Sequence, residues 1–370
     1  MTDHPEDFSV GVEEEYQLID AETGDLRPAS AAVLSSAAPA LGEEVQPELL
    51  RSQIEIASPV CRSLGEVAAQ VTRLRRSVAE AAAAQGCRLG AAGTHPFATW
   101  DHQQFTAKPR YLDLAEEFQQ TARDTLIFGC HVHVGIADEE VAIDIMNRVR
   151  PWLAVLVALG ANSPFWAGAD TGYASYRTEV FRRFPMTGTP HRFEGRADYD
   201  RVVATLVATE AITDATKLYW DVRPSARFPT LEFRVSDVCL RVEEAVAITG
   251  LVRSLAQAAH ADAQAARPTP GPRPEVLEAA VWRAARYGLD GDLIDTLEGR
   301  SRPAREMVGA LLALARPSLE EAGDWELVSA AVERLLVDGT GARRQREAFA
   351  RRGDLGDVVA LVVDETLAGA

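Results

Sequence analysis

Three consecutive glutamates, Glu13, Glu14 and Glu15, lie inside FSVGVEEEYQLID (residues 8–20), a segment that otherwise has the composition of a β-strand. Side chains alternate between the two faces of a strand. One face is therefore apolar apart from Glu14, and it carries Phe8, Val10, Val12, Tyr16 and Leu18. The other face is polar, and Glu13 and Glu15 point from it in the same direction. The pattern predicts two carboxylates on the open face of a strand whose opposite face is buried.

The same alternation occurs in three further segments. Their polar faces carry Glu55 in QIEIA (53–57), His131 and His133 in FGCHVHVGI (128–136), and Thr230, Glu232, Arg234 and Ser236 in TLEFRVS (230–236). Gly11, Gly129 and Gly135 share these faces and are expected to leave room for a ligand. The alternative is that each polar face meets solvent, as in many antiparallel sheets. Solvated faces show no preference for Glu and His, so we predict that the four strands are neighbours and form one site.

Carboxylates crowded on one sheet face repel each other, which raises their pKa values. A divalent cation removes this repulsion. Oxygen ligands with an occasional imidazole suit Mg²⁺, or Mn²⁺ as a substitute, better than Zn²⁺, which prefers more His or Cys. Because Mg²⁺ bridges carboxylates to phosphate oxygens, the pattern also predicts a substrate that carries phosphate.

Composition and charge exclude several classes of binding partner and several locations for the protein. The formal net charge of −17 over 370 residues argues against binding to nucleic acid or to an anionic membrane surface. The N-terminus lacks the basic and apolar regions of a signal peptide, and the longest apolar run, near 152–161, is too short for a membrane-spanning helix. The four cysteines follow no metal or disulfide pattern, so we expect reduced thiols and a cytoplasmic protein. No phosphate-binding loop of the GxxxxGK[ST] or GxGxxG type is present.

Helical spacing of apolar residues predicts helices over 63–86, 110–127, 139–160 and 241–261. After a linker rich in Pro and Ala at 262–275, only helices are expected, around 276–287, 303–315, 318–336, 341–351 and 355–367. Residues 1–7 are expected to be a mobile tail. This order indicates an α+β fold, an antiparallel sheet with helices packed on one face. Residues 8–261 would form the core, and 276–370 a helical section packed on the same domain.

Other polar or reactive side chains receive structural interpretations. Glu14 lies on the apolar face, so we expect it to pair with an arginine beneath the sheet unless a bulge rotates it. Cys130 and His131 are adjacent and should point to opposite faces, so Cys130 is predicted to be a core residue and not a nucleophile. The tryptophans, Trp166, Trp220 and Trp282 among them, are expected in the core or in pocket walls.

Ten segments in order resemble a known family. They are GVEEEYQLID, LLRSQIEIASPV, GTHPFATW, GCHVHVGI, NSPFW, YASYRTEVF, YWDVRPS, TLEFRVSDV, WRAARYGLDG and RRQREAFARRGD. Together they resemble the type 2 glutamate–cysteine ligase family, and within it the bacterial carboxylate–amine ligase branch. The resemblance runs from about residue 8 to residue 368.

The resemblance implies a glutamine-synthetase-like fold. A curved antiparallel sheet would hold ATP and Mg²⁺ on its concave face, with helices on the convex face. It implies ATP-dependent amide formation: a substrate carboxylate takes the γ-phosphoryl group, and an amine then displaces phosphate from the acyl phosphate. It also implies weak glutamate–cysteine ligase activity, small-molecule substrates, and a homodimer or larger homo-oligomer.

The resemblance also implies roles for individual residues. The metal ligands would be Glu13, Glu15, Glu48, Glu55, His131 and Glu232, and Glu48 is the one that the strand pattern does not select. Arg234 would contact phosphate, since a planar guanidinium suits bidentate contact, and we predict that Arg234 and Glu55 are catalytic. Arg223 and Arg177 are candidates for holding phosphate or a substrate carboxylate. His133 is either a further ligand or a residue that supports one.

Two rival functions remain from the sequence. A metal-dependent hydrolase could use the HVH segment in a zinc or two-metal site. Further histidines in matching strands are scarce, which argues against it. A non-catalytic binding protein with the same fold would be expected to have lost some of the acids. All of them are present here.

Overall fold

The computed structural model describes residues 8–368, so the expected mobile tail at 1–7 lies outside the described residues. The strands are β1 (Val10–Asp20), β2 (Val45–Pro47), β3 (Gln53–Ala57), β4 (Cys87–Gly90), β5 (Gly129–Gly135), β6 (Phe165–Trp166), β7 (Ala169–Asp170), β8 (Thr187–Gly188), β9 (Tyr219–Trp220), β10 (Val222–Pro224), β11 (Thr230–Asp237), β12 (Asp292–Asp295) and β13 (Arg300–Pro303).

The α-helices are α1 (Ser30–Leu41), α2 (Leu64–Ala83), α3 (Pro109–Phe118), α4 (Gln120–Arg123), α5 (Glu139–Val149), α6 (Leu153–Leu159), α7 (Tyr176–Phe181), α8 (Arg196–Ala208), α9 (Val242–Gln264), α10 (Pro274–Tyr287), α11 (Ala304–Glu321), α12 (Trp325–Asp338), α13 (Gly341–Arg352) and α14 (Leu355–Thr366). Among the described residues, no helix combines the length and apolar composition needed to cross a membrane.

The main sheet has seven strands in the order β10–β11–β5–β1–β3–β2, and β4 also pairs with β1. Every pairing in it is antiparallel, as predicted. The four strands that the sequence singles out, β1, β3, β5 and β11, are consecutive neighbours in this order. Their adjacency decides the site, because residues directly opposite each other on neighbouring antiparallel strands point to the same face.

Helices cover the apolar face of this sheet. Val10, Val12, Cys130 and Val132 are buried in one apolar cluster that also takes in residues of α2, α5, α6 and α9. The long helix α9 is buried along most of its length and packs on β5, α2, α5, α11 and α12. The same cluster includes apolar side chains of α10, α11 and α12, so the C-terminal helices share one core with the sheet. The prediction that Cys130 is a core residue is confirmed.

A β-bulge interrupts β11 where it passes β5. Phe233 lies opposite Val132 and Ser236 opposite Cys130, so Arg234 and Val235 together face the single residue His131. The bulge reverses the side-chain alternation beyond it. Ser236 therefore joins the helix-covered face, and Asp237, opposite Gly129, joins the polar face. The prediction of Ser236 on the polar face is wrong for this reason.

Three other predictions from the sequence are wrong in detail. The helix expected over 110–127 is broken at Gln119, whose φ is +48°. The section after the linker is not purely helical, since β12 and β13 form a hairpin within it. Trp282 is neither a core nor a cavity residue, because it is 43% exposed on α10.

Candidate active site

Strand register brings the predicted acids and histidines together. Glu13 lies opposite His131, and Glu15 lies opposite Glu55. Glu232 lies opposite His133. A cavity of about 290 Å³ opens on this face of the sheet. All ten residues predicted for the site line it: Glu13, Glu15, Glu48, Glu55, His131, His133, Arg177, Arg223, Glu232 and Arg234. The sequence therefore identifies one continuous cavity rather than four separate solvated faces.

Two groups of three side chains in the cavity are arranged as cation ligands would be. Glu13, Glu55 and His131 place one ligand atom each within 4.8 Å of the others, and so do Glu13, His133 and Glu232. Glu13 belongs to both groups. A carboxylate shared between two groups is the arrangement that would bridge two neighbouring cations.

The acids at the β3 end of the cavity repel one another. Burial and the charges of Glu48, Glu13 and Glu15 raise the pKa of Glu55 well above its usual value. Burial and the charge of Glu15 raise the pKa of Glu48 to about 7. The Glu48 carboxylate accepts a 2.9 Å hydrogen bond from the Tyr111 hydroxyl. Without a cation, this end of the cavity has too few positive charges for its carboxylates.

Glu13 is held between two imidazoles. Its carboxylate lies 3.3 Å from His131 Nδ1 and 3.5 Å from His133 Nε2. Burial opposes its ionisation, but the hydrogen bonds to His131 and His133 lower the pKa of Glu13 below its usual value. The Nδ1 atom of His133 contacts the Thr230 hydroxyl at 2.9 Å, which leaves Nε2 to face the carboxylates. His133 therefore offers a ligand atom within 4.8 Å of those of Glu13 and Glu232, and its contact with Thr230 orients the ring.

Glu232 lies between two arginines. Arg223 Nε donates to it at 2.9 Å, and Arg234 Nη1 also donates to its carboxylate. Burial would raise the pKa of Glu232, but the guanidinium groups of Arg234 and Arg223 hold it well below its usual value. Arg223 also donates to the backbone carbonyls of Thr216 and Leu218. Its Nη2 atom donates to Glu232 as well, so four of the five guanidinium N–H groups contact protein and Arg223 orients Glu232.

Arg177 lines the cavity from α7 and is almost fully buried. Its guanidinium occupies the space beside Gly129, where a side chain on residue 129 would collide with it. The expectation that Gly129 leaves room for a ligand is therefore corrected, because Arg177 fills that room. The Nε atoms of Arg177 and Arg234 have no hydrogen-bond partner among the described residues.

Other cavity residues escape the sequence prediction. Tyr111, Lys108 and Arg110 come from α3 and the residue before it, and Tyr219 from β9. The buried hydroxyl of Tyr219 has no partner among the described residues. Tyr219 and Arg223 are four residues apart, so alternation through YWDVR could have placed them on one face. The α3 residues reach the cavity through tertiary packing, which leaves no periodic signal in the sequence.

Comparison with known proteins agrees with this fold and cavity. The sequence profile described as Glutamate-cysteine ligase family 2 (GCS2) matches residues 9–361. A protein of Rhodopirellula baltica named "Putative glutamate–cysteine ligase 2" is 44% identical over 367 residues, which is 98% of this chain and 98% of the relative.

Two solved structures share the fold at low sequence identity. The glutamate–cysteine ligase of Francisella tularensis, solved in complex with AMP, superposes with a TM-score of 0.71 at 10% identity and covers 97% of this chain and 88% of its own. The bifunctional glutathione synthetase of Pasteurella multocida gives 0.70 at 15% identity and covers 98% of this chain. This chain spans about half of that protein, 52% of its length. With a family profile matched over nearly its whole length and a close relative of equal extent, the chain belongs to glutamate–cysteine ligase family 2, a family of ligases.

Proposed function

We propose that this protein is a Mg²⁺- and ATP-dependent carboxylate–amine ligase that works through an acyl phosphate. The observation that carries the proposal is the pair of ligand groups that share Glu13, with Arg234 beside them in one cavity. Phosphoryl transfer requires little covalent chemistry from the protein. It requires fixed positive charge around the transferred group and correct positioning of the reactants.

The donor set of the cavity fits magnesium. Its ligands would be Glu13, Glu15, Glu48, Glu55, Glu232 and His131, with His133 as a further candidate. Five of these seven side chains are carboxylates, which Mg²⁺ and Mn²⁺ prefer over the nitrogen and sulfur ligands of Zn²⁺. The raised pKa of Glu55 reflects repulsion that a bound cation would remove. When bound, Mg²⁺ would neutralise the triphosphate and the charge that develops on the transferred group.

Side chains of the protein would bind and orient the phosphate groups. Arg234 would donate to a phosphate oxygen through its fork, and Arg223 would keep Glu232 in place. An oxygen of the substrate carboxylate attacks the γ-phosphorus, and the bond to the β–γ bridging oxygen breaks to release ADP. The amine nitrogen then attacks the acyl carbon and the acyl carbon–phosphate oxygen bond breaks. The amine loses a proton as phosphate leaves.

Family membership supports glutamate and cysteine as the first substrate pair to test, with weak activity expected. We further propose that the sheet is curved in the glutamine-synthetase-like manner, with the cavity on its concave face. The buried Arg234 Nε atom and Tyr219 hydroxyl have no hydrogen-bond partner within residues 8–368, which also supports a ligand in this cavity.

The test is a screen of acid–amine pairs for ADP release in the presence of Mg²⁺, with the amide product identified by mass. The proposal expects ADP release that depends on both substrates and on Mg²⁺. Turnover of a substrate without ATP, restored by Zn²⁺, would support the metal-dependent hydrolase instead. Tight binding of nucleotide with no ADP release for any pair would support the non-catalytic binding protein.

A further inference from the structure

Asp237 is a fully buried carboxylate that the sheet alternation does not predict. Its side chain accepts hydrogen bonds from the Asn162 backbone N–H at 2.7 Å and from the Ser163 hydroxyl at 2.7 Å. The Ser175 hydroxyl donates to it at 2.8 Å. Asp237 therefore joins β11 to the segment 162–163 and to the residue before α7. Burying a charge costs free energy, and hydrogen bonds together with a positive group nearby reduce that cost.

Arg177 supplies that positive group. Its Nη1 atom lies 3.9 Å from Asp237 Oδ1, and its backbone N–H donates to Ser163 Oγ at 3.0 Å. Both side chains are at least 95% buried. The network thus fixes where α7 begins and where the Arg177 guanidinium lies.

The other end of the guanidinium meets the bulge of β11. Arg177 Nη2 donates to the backbone carbonyl of Arg234 at 3.3 Å. Both guanidinium groups lie over the Phe181 ring, with Arg177 Cζ 5.8 Å and Arg234 Cζ 5.9 Å from the ring centroid. A bulge disturbs the regular strand ladder, so backbone groups within it depend on other partners for their orientation. Arg177 is such a partner for the residue that lies inside the bulge.

We propose that Asp237 and Arg177 are positioning residues that fix the β11 bulge, so that the Arg234 side chain stays aimed into the cavity. The effect runs from the Asp237 carboxylate to the Arg177 guanidinium and from there to the Arg234 backbone. The inference rests on the proposed function, in which Arg234 contacts a phosphate group of the nucleotide. It gives Arg177 a role different from direct contact with a substrate.

Direct contact between Arg177 and the ligand is the alternative role, and an experiment can distinguish it from positioning of Arg234. Arg177 lines the cavity, and its buried Nε atom has no hydrogen-bond partner in the described part of the chain, so it could also bind an anion itself. If it acts through Arg234, its loss should cost little once the Arg234 side chain is gone. If it binds the ligand itself, the two losses should add.

The experiment is a double-mutant cycle with Arg177→Lys and Arg234→Ala. Binding of the non-hydrolysable ATP analogue adenylyl imidodiphosphate with Mg²⁺ is measured by calorimetry. Lysine keeps the charge near Asp237 but cannot also reach the Arg234 carbonyl with a second donor. We expect Arg177→Lys to weaken binding about 10-fold in the wild-type background, equal to about 1.4 kcal/mol, and less than about 2-fold in the Arg234→Ala background. Equal weakening in both backgrounds would overturn the inference.

Two further variants separate positioning from general loss of stability. Asp237→Asn should weaken analogue binding by a similar factor, and if it does not fold the cycle decides alone. Asp324 and Arg253 form a partly buried ion pair, and neither side chain lines the cavity. Asp324→Asn removes the carboxylate of this pair. It should leave analogue affinity unchanged. A wild-type protein that binds no analogue would remove the proposed function and this inference with it, whereas binding with additive losses removes the inference alone.

Discussion

The carboxylate of Glu14 and the guanidinium of Arg75 form an ion pair of 2.6 Å in which neither side chain is exposed to solvent. Arg75 lies on α2 beneath the sheet, and its remaining N–H groups donate to the backbone carbonyls of Cys239, Leu240 and Thr366. Glu14 thus points away from the cavity that its neighbours Glu13 and Glu15 line. The predicted pairing of Glu14 with an arginine beneath the sheet is confirmed.

The first prediction concerns this pair. Glu14→Gln leaves the Arg75 charge buried without compensation and should lower the free energy of unfolding by about 3–5 kcal/mol. Replacing both residues, as Glu14→Leu with Arg75→Met, should cost less than either single change that leaves one charge behind. Urea unfolding followed by circular dichroism measures these differences. Glu347→Gln, which removes an exposed ion pair with Arg343 on α13, is the control and should change the value by less than about 0.5 kcal/mol.

The second prediction concerns Glu55. Its carboxylate is repelled by neighbouring acids, so Glu55→Gln should not lower the thermal midpoint measured without divalent cations. Wild-type protein should gain stability on addition of Mg²⁺, by about 2.7 kcal/mol at 100 times the dissociation constant. The variant should lose most of this gain and all ADP formation. Glu326→Gln, an exposed change on α12, should behave like the wild type. Normal ADP release by Glu55→Gln would disprove the assigned role.

The third prediction concerns Arg234. Its guanidinium contacts Glu232 and should contact phosphate with the rest of its fork. Arg234→Lys retains one positive charge but not the planar pair of donors, so kcat/KM for ATP should fall at least about 10-fold, a loss of about 1.4 kcal/mol. Steady-state kinetics at varied ATP measure this loss. Unchanged kinetics for nucleotide would show that a point charge is enough and that the fork has no role.

The sequence identifies the cavity wherever a strand is regular. In β1, β3 and β5 the alternation of side chains has a period of two, and one face is buried under helices, so the open face can be read directly. Glu13, Glu55 and His131 are all found in this way. Adjacency of the strands was inferred only from the shared Glu and His on their polar faces, because strand order depends on long-range pairing that leaves no local pattern.

The sequence fails where geometry departs from that period. The extra residue in β11 reverses the alternation after Val235, so Asp237 was not expected on the polar face, and Ser236 was. Tyr111 reaches the cavity from α3, where its direction is decided by packing, and Arg177 on α7 was predicted only through the family resemblance. Both failures therefore arise from tertiary structure, although the bulge is formed by a change of one residue in register.

The last prediction concerns pH and uses a histidine away from the cavity. His95 Nε2 lies 3.0 Å from the Gly24 carbonyl, and Nδ1 accepts the Ala98 backbone N–H at 2.9 Å. These contacts match a neutral imidazole with its proton on Nε2, since a second proton on Nδ1 would oppose the Ala98 N–H. Burial lowers the pKa of His95 to about 4 from its usual 6.5. The residue thus serves the turn after β4 and is not among the residues that line the cavity.

Between pH 6.5 and pH 4 the unfolded chain binds a proton at His95 that the native protein does not. His95 therefore adds stability that is complete above pH 6.5 and is lost as the pH falls to about 4, with a slope approaching about 1.4 kcal/mol per pH unit. His95→Gln keeps a donor for the Gly24 carbonyl but cannot titrate. Urea unfolding of both proteins at several pH values across this range should give a shallower dependence for the variant. Parallel curves would show that His95 takes up its proton at the same pH in the native and unfolded proteins, in conflict with the donor from Ala98.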